Sequence, residues 1–179
     1  MRFEPTDFAG LVLVHPDRRV DARGYFTRTF CEEEFDRAGL ATRFPQTSLS
    51  FNARAGTVRG MHFQREPRAQ TKLVRCARGA IHDIVVDLRP SEPTFRRWRG
   101  FELSAENGVA LYIPEGFAHG FQTRADESEV HYAITPAYVP GAEAGVRWDD
   151  PSFDIHWPAP VTVISERDGS WPPFAWSAT

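Results

Sequence analysis

With 179 residues, a formal net charge of −3, 41% apolar and 25% charged residues, the chain reads as one globular domain spanning 1–179. That balance offers no global basic field for nucleic acid, and no stretch approaches the ~20 apolar residues that cross a bilayer. Met1-Arg2-Phe3-Glu4-Pro5 lacks the apolar run of a signal peptide, and Cys31 and Cys76 are too few for a disulfide framework or zinc knuckle, so a cytoplasmic, reducing location is expected.

Short β-like runs punctuated by Gly and Pro follow one another: Leu11–Val14, Gly24–Phe30, Thr47–Asn52, Lys72–Ala77, Ala80–Leu88, Trp98–Leu103, Val109–Ile113, Ala118–Thr123 and Glu129–Ile134. Cys31–Ala38 predicts a helix, acidic at its start and stopped by Gly39, and a second short helix is expected near the C-terminus. The Pro- and Trp-rich tail from Trp171 to Trp176 is expected to lie outside the sheets, packed over them or free. Many short strands with little helix point to an all-β antiparallel sandwich or barrel.

Pro114-Glu115-Gly116-Phe117-Ala118-His119 resembles the second half of the cupin signature, in which a Pro–Gly turn is followed by a strand that delivers a His into a jelly-roll barrel. Gly56 and His62 fit the first half, but Gln64 stands at the second His position and Arg68 or Ala69 at the Glu position. Transition metals require several imidazole or carboxylate ligands, so no metal is expected and the two histidines are free for proton chemistry. Strand alternation sets Arg59 and His62 on opposite faces, and both enter one pocket only if Gly60 marks a bulge or turn; otherwise His62 is a satisfied core histidine.

Of the 21 basic residues only Lys72 is a lysine, either a surface residue or a point charge that holds an oxyanion. Alternation along Glu129–Ile134 turns Tyr132 inward, as a core tyrosine or a proton donor. Asp83 shares a strand face with Ile81 and Val85, and a buried carboxylate there needs a partner, for which His119 is a candidate. Nothing local distinguishes Asp168, whose default is an exposed C-terminal Asp; His15, His82, His131 and His156 receive no role.

Taken together, Asp21–Phe26, Arg59–Gln64, Lys72–Cys76, Val86–Arg89, Leu103–Asn107, Ile113–Phe121, Trp148–Pro151 and Ser165–Asp168 resemble, in order, the dTDP-4-dehydrorhamnose 3,5-epimerase family. The resemblance implies a cupin barrel that epimerises a nucleotide-linked 4-keto-6-deoxyhexose at C3 and C5 without cofactor. It implies His62 as base, Asp168 as its carboxylate partner, Tyr132 as the opposed acid and Lys72 near the C4 oxygen. Arg23, Gln46 and Arg59 match diphosphate-side contacts, Phe26 and Tyr138 aromatic groups near the base, and Asp83 and His119 pocket residues. It further implies a homodimer with shared strands. Ser48 stands where the family commonly has Asn, Arg28 where it has Glu and Ala133 where it has Lys; the first two bear on the sugar and the base. The alternatives are a C3-only epimerase or one for another nucleotide-linked keto-sugar, a metal cupin, and a non-catalytic sugar-binding cupin.

Overall fold

A computed structural model describes residues 1–175 of the protein. Along the chain run β1 (Arg2–Pro5), β2 (Val12–His15), β3 (Arg18–Asp21), β4 (Gly24–Thr27), α1 (Glu32–Arg37), β5 (Gln46–Asn52), β6 (Thr57–Gln64) and β7 (Thr71–Arg78). There follow β8 (Ala80–Asp87), β9 (Trp98–Ser104), β10 (Ala110–Ile113), β11 (Phe117–Thr123), β12 (Ser128–Thr135), β13 (Glu143–Gly145), β14 (Val163–Ile164) and α2 (Glu166–Gly169).

The strands build two sheets. One has the order β1-β2-β10-β7-β12-β5, the other β13-β6-β11-β8-β9 with β14 parallel to the start of β6; β3 and β4 pair only with each other. The period-2 pattern of the sequence decides which side chains meet between the sheets. Val74, Cys76, Leu111, Ile113 and Val130 from the first sheet pack against Ile81, Val85, Leu103, Phe117 and Phe121 from the second. Both outer faces are covered as well. Phe35 of α1 packs over Val12, Leu73 and Tyr112, and Phe153, Trp157 and Phe174 of the C-terminal loops cover Met61, Ile84 and Ala118. This is the jelly-roll barrel that the cupin resemblance implies, within the sandwich-or-barrel class that the strand pattern predicts.

The predicted elements differ from the observed ones at their edges. Gly24–Phe30 is a strand only to Thr27, because the β3–β4 hairpin ends at the Arg18–Thr27 pair and Phe30 turns back to pack 4.8 Å from Phe35. The helix expected over Cys31–Ala38 is α1 with those two residues as its caps, and α2 is the short C-terminal helix. The strands β1, β3, β13 and β14, of two to four residues, are too short for a periodic signal. The tail forms no strand through Ala175; Phe174 packs 4.9 Å from Phe153 and donates its N–H to Asp150 Oδ2 at 2.6 Å, while Trp176 lies outside the described residues.

One irregularity orients the whole interior. His119 of β11 faces His62 of β6, yet Phe121, two residues on, faces Arg59, three residues back. The extra residue is a β-bulge, and it returns Arg59 and His62 to the same inward face. Gly60 sits in it with φ +144°, and a Cβ there would lie 2.6 Å from the Cα of Gly120. Gly60→Ala should therefore destabilise the fold by about 2 kcal/mol or more, since neither backbone can retreat. Urea unfolding of the variant against the parent checks this, and the surviving fraction should lose activity because Arg59 and His62 no longer share a face.

Candidate active site

The inward-facing residues of the barrel are apolar at one end and polar at the other. On β7 the inward series Cys76, Val74 ends in Lys72; on β8 Asp83 interrupts Ile81 and Val85; on β11 His119 lies between Phe117 and Phe121; on β12 Tyr132 follows Val130. Five strands thus bring His62, Lys72, Asp83, His119 and Tyr132 into one interior, with Arg59 beside them. A cavity of about 220 Å³ opens there, lined by His62, Gln64, Gln70, Lys72, Tyr138 and Trp171 among others. A larger one of about 630 Å³ lies between α1, its flanking loops and the first sheet; it takes in Leu73, Arg75, His131, Tyr132 and Ala133, so Tyr132 lines the larger cavity while His62 and Lys72 line the smaller.

His62 and Asp168 are 106 positions apart and 2.7 Å in space, Nε2 to Oδ1. The carboxylate side chain is 7% exposed and the imidazole 43%, so the pair presents a ring to the cavity and hides its charge partner. Ser165 caps α2 by accepting the Asp168 N–H at 3.1 Å, and the second carboxylate oxygen accepts the Gly60 N–H at 3.2 Å. Burial would raise the Asp168 carboxyl, but the hydrogen bonds from His62, Gly60 and Ser165 outweigh it and hold the group below the usual carboxylate range. Read locally, Asp168 was expected to be exposed; the structure buries it, because α2 folds back onto β6. With Nε2–H donated to the carboxylate, the lone pair of neutral His62 resides on Nδ1.

Lys72 is buried and donates to the His62 carbonyl at 3.1 Å, which excludes the surface reading. Burial pushes its ammonium down to about 8, opposed by the charge of Asp83. Asp83 is fully buried, and its Oδ2 pairs with His119 Nε2 at 2.8 Å, the partner its position demanded. The His119 ring stands edge-on to Tyr132 with centroids 6.3 Å apart. Burial raises the Tyr132 phenol, helped by Asp83 and opposed by a Ser50 hydrogen bond and by Arg59, so the hydroxyl keeps its proton at neutral pH.

The remaining expected residues divide into two groups. Arg59 is held by Asn52 Oδ1 at 2.7 Å, Ser48 lies opposite Tyr132 in the β5–β12 pairing, and Gln46 Oε1 accepts the N–H of Tyr138, which lines the cavity. Arg23, Phe26 and Arg28 are not brought there. Arg23 points from the β3–β4 hairpin into solvent, tied only to Asp21; Phe26 is 72% exposed; Arg28 sits 3.5 Å from Glu34 of α1. Gln64, at the position of a second metal ligand, spends its amide on the Arg68 carbonyl at 2.7 Å and the Val139 N–H at 2.9 Å. Among the described residues no group of three or more His, Cys, Asp or Glu side chains is placed to hold a metal ion. Sequence reasoning missed Ser50, Asn52, Gln70 and Trp171. Ser50 shares alternation with Ser48 and was legible in principle; Trp171 reaches the cavity from a loop with no periodic signal.

A sequence model of dTDP-4-dehydrorhamnose 3,5-epimerase matches residues 5–175. The dTDP-4-dehydrorhamnose 3,5-epimerase of Methanothermobacter thermautotrophicus is 45% identical over 175 residues, covering 96% of this chain and 94% of that one. The dTDP-4-dehydrorhamnose 3-epimerase of Streptomyces niveus is 39% identical over 94% of this chain and 81% of its own. Among solved structures, the 3,5-epimerase of Bacillus anthracis with TDP and PPi bound superposes with a TM-score of 0.94 at 39% identity, covering 97% of this chain and 99% of that one. Similarity of this extent, in sequence and in backbone, places this chain in the dTDP-4-dehydrorhamnose 3,5-epimerase family.

Proposed function

We propose that the chain inverts C3 and C5 of a dTDP-linked 4-keto-6-deoxyhexose by proton transfer alone, with His62 as base, Lys72 as the enolate's counter-charge and Tyr132 as acid. The observation that carries this reading is that a carboxylate-backed imidazole on one sheet faces a buried ammonium and an inward-turned phenol on the other: Lys72 reaches the His62 carbonyl at 3.1 Å, and Tyr132 lies 6.3 Å from the ring of His119, the strand partner of His62. Protons at C3 and C5 both neighbour the C4 ketone. Nδ1 of His62 takes one, the C–H electrons move onto O4, and the buried ammonium of Lys72 stabilises the enolate in surroundings where a charge is worth far more than in water. Asp168 holds the imidazolium that forms. The phenol of Tyr132 then returns a proton to carbon from the opposite face, and solvent exchange resets base and acid. Arg59, with Gln46, faces the diphosphate, and Tyr138 the nucleotide base. The balance needs no redox partner.

The same proposal places the enzyme in the cytoplasm as a homodimer. The β3–β4 hairpin exposes Val20, Tyr25 and Phe26, and the edge strand β5 exposes Leu49 and Phe51. A second copy whose hairpin reached β5 would cover these residues and bring Arg23, Phe26 and Arg28 to the neighbouring cavity. A C3-only epimerase is the second reading, favoured by the relative from Streptomyces niveus that carries that name; analysis of the product by NMR separates the two.

Tyr132→Phe keeps the ring on its Val130 face and removes the acid. In heavy water it should still wash deuterium into the substrate, but with retention at C3 and C5 in place of inversion. Normal epimer formation at both carbons would reduce Tyr132 to a core residue.

Lys72 links activity to stability with a definite sign. Its folded value of about 8 lies below the ordinary 10.5, so the unfolded chain binds more protons between these values and the wild type gains stability as pH rises through that window. Turnover should fall over the alkaline side of pH 8 as the ammonium is lost. Lys72→Met should unfold at or above the wild-type temperature at pH 7 while losing turnover about 10²-fold or more, and its stability advantage should shrink towards pH 10.5.

The dimer is tested by mixing subunits. Arg23→Ala and His62→Ala should each be inactive alone, and co-refolded together they should recover about a quarter of wild-type activity, because half the dimers then hold one intact site. No recovery would assign Arg23 to its own subunit's cavity or to neither.

A further inference from the structure

We propose that Trp171 is a positioning residue, a clamp that seats the one-turn helix carrying Asp168 against the strand beside His62. This rests on the reading of His62 and Asp168 as the base pair. A four-residue helix has no stability of its own, so the place of Asp168 must be set by what grips α2 from either side. Upstream, β14 joins it to the start of β6 through the Val163–Thr57 and Ile164–Val58 pairs. Downstream, the grip is Trp171. Its indole lies flat over Gly145, so closely that a Cβ there would stand 2.3 Å from Cε2 and 2.5 Å from Nε1. Gly145 is the residue of β13 paired with His62. The ring is therefore docked on the strand position adjacent to the imidazole, and it forms part of the wall of the His62 cavity.

Arg167 ties the same parts together from within α2. Its guanidinium reaches Glu143 of β13 at 3.2 Å and lies 5.3 Å from the Trp171 ring centroid. Asp168 is thus flanked by an arginine and a tryptophan that both anchor to β13, the edge strand next to β6. The indole N–H is buried and has no hydrogen-bond partner among the described residues. The ring acts through its face and shape, and a phenyl ring in its place gives up no hydrogen bond. Beyond it, Phe174 remains pinned on Phe153 and Asp150, so loss of the indole frees α2 without releasing the rest of the described tail.

The experiment is a double-mutant cycle on solvent deuterium exchange into substrate, using wild type, Asp168→Asn, Trp171→Ala and the double variant. Displacing a catalytic group by about an ångström costs on the order of 10–100-fold, so Trp171→Ala should lower exchange by that much. The double variant should be no slower than Asp168→Asn alone, because the clamp acts only through that carboxylate. Trp171→Phe should recover most of the rate. Gly145→Ala, which keeps Trp171 but expels its ring, should reproduce the loss with the barrel still folded by circular dichroism. Losses that multiply in the double variant would overturn the clamp and make Trp171 a substrate contact. Full exchange in a folded Gly145→Ala or Trp171→Ala protein would overturn it as well. Full exchange in Asp168→Asn would instead sink the base-pair reading itself.

Discussion

The site depends on one close approach between two backbones. Gly60 on β6 and Gly120 on β11 meet where neither position has room for a Cβ: at Gly60 it would meet the Gly120 Cα at 2.6 Å, and at Gly120 the Met61 sulfur at 2.7 Å and the Arg59 carbonyl at 2.8 Å. That contact lets β6 carry one residue more than its partner, and the bulge turns a strand that would split Arg59 and His62 between two faces into one that delivers both inward. Met61, the residue displaced outward, fills the outer core with Ile84, Ala118 and Val146. The Gly60 N–H in the bulge is also freed to bind Asp168. One local irregularity thus aligns Arg59, the His62 imidazole and the N–H that holds its carboxylate partner.

The interior that results is costly. Lys72, Asp83 and His119 are buried, Tyr132 is partly buried, and the core around them is otherwise Val, Leu, Ile and Phe. An ammonium in such surroundings is depressed and a phenol is raised, both by loss of water. The two shifts share that one cause, and they leave a cation close to its proton-loss threshold near a phenol that keeps its proton. The Asp83–His119 pair moderates the cost by giving Lys72 an opposed charge on the neighbouring sheet. The barrel meets the expense with a continuous apolar cluster behind the polar end, from Phe8 and Leu11 through Phe117 and Val85.

The candidate site is also assembled from parts that are held unequally. His62, Lys72 and Tyr132 stand on strands paired on both sides. Asp168 stands on a single turn held by a cap, a two-residue parallel strand and an aromatic contact. Strands paired on both sides hold their side chains at fixed positions across the interior. The short helix and the residues after it form one wall of the cavity through Arg167 and Trp171 and bring the Asp168 carboxylate to His62.

How far each of these features could be read from sequence follows from the range of the interactions behind it. Alternation is a property of neighbouring residues, so the inward placement of Tyr132 and Asp83 and the sandwich-or-barrel class were legible in the chain itself, as was the helix at Cys31–Ala38 from its acidic start and its glycine stop; the jelly roll was implied by the resemblance to cupins. Gly60 could be marked as the place where alternation must break for Arg59 and His62 to share a pocket, since glycine permits a bulge or turn. Whether it broke was decided by Gly120, 60 positions away. Asp168, expected at the surface from its neighbours alone, is buried because β14 pairs with the start of β6 and so lays α2 against His62, 106 positions away in sequence. The hydrophobic and turn patterns of the sequence determined which strands form and which way their side chains face. Only the tertiary structure decided which of those side chains meet, because a contact between residues 106 positions apart leaves no period in the sequence to be read.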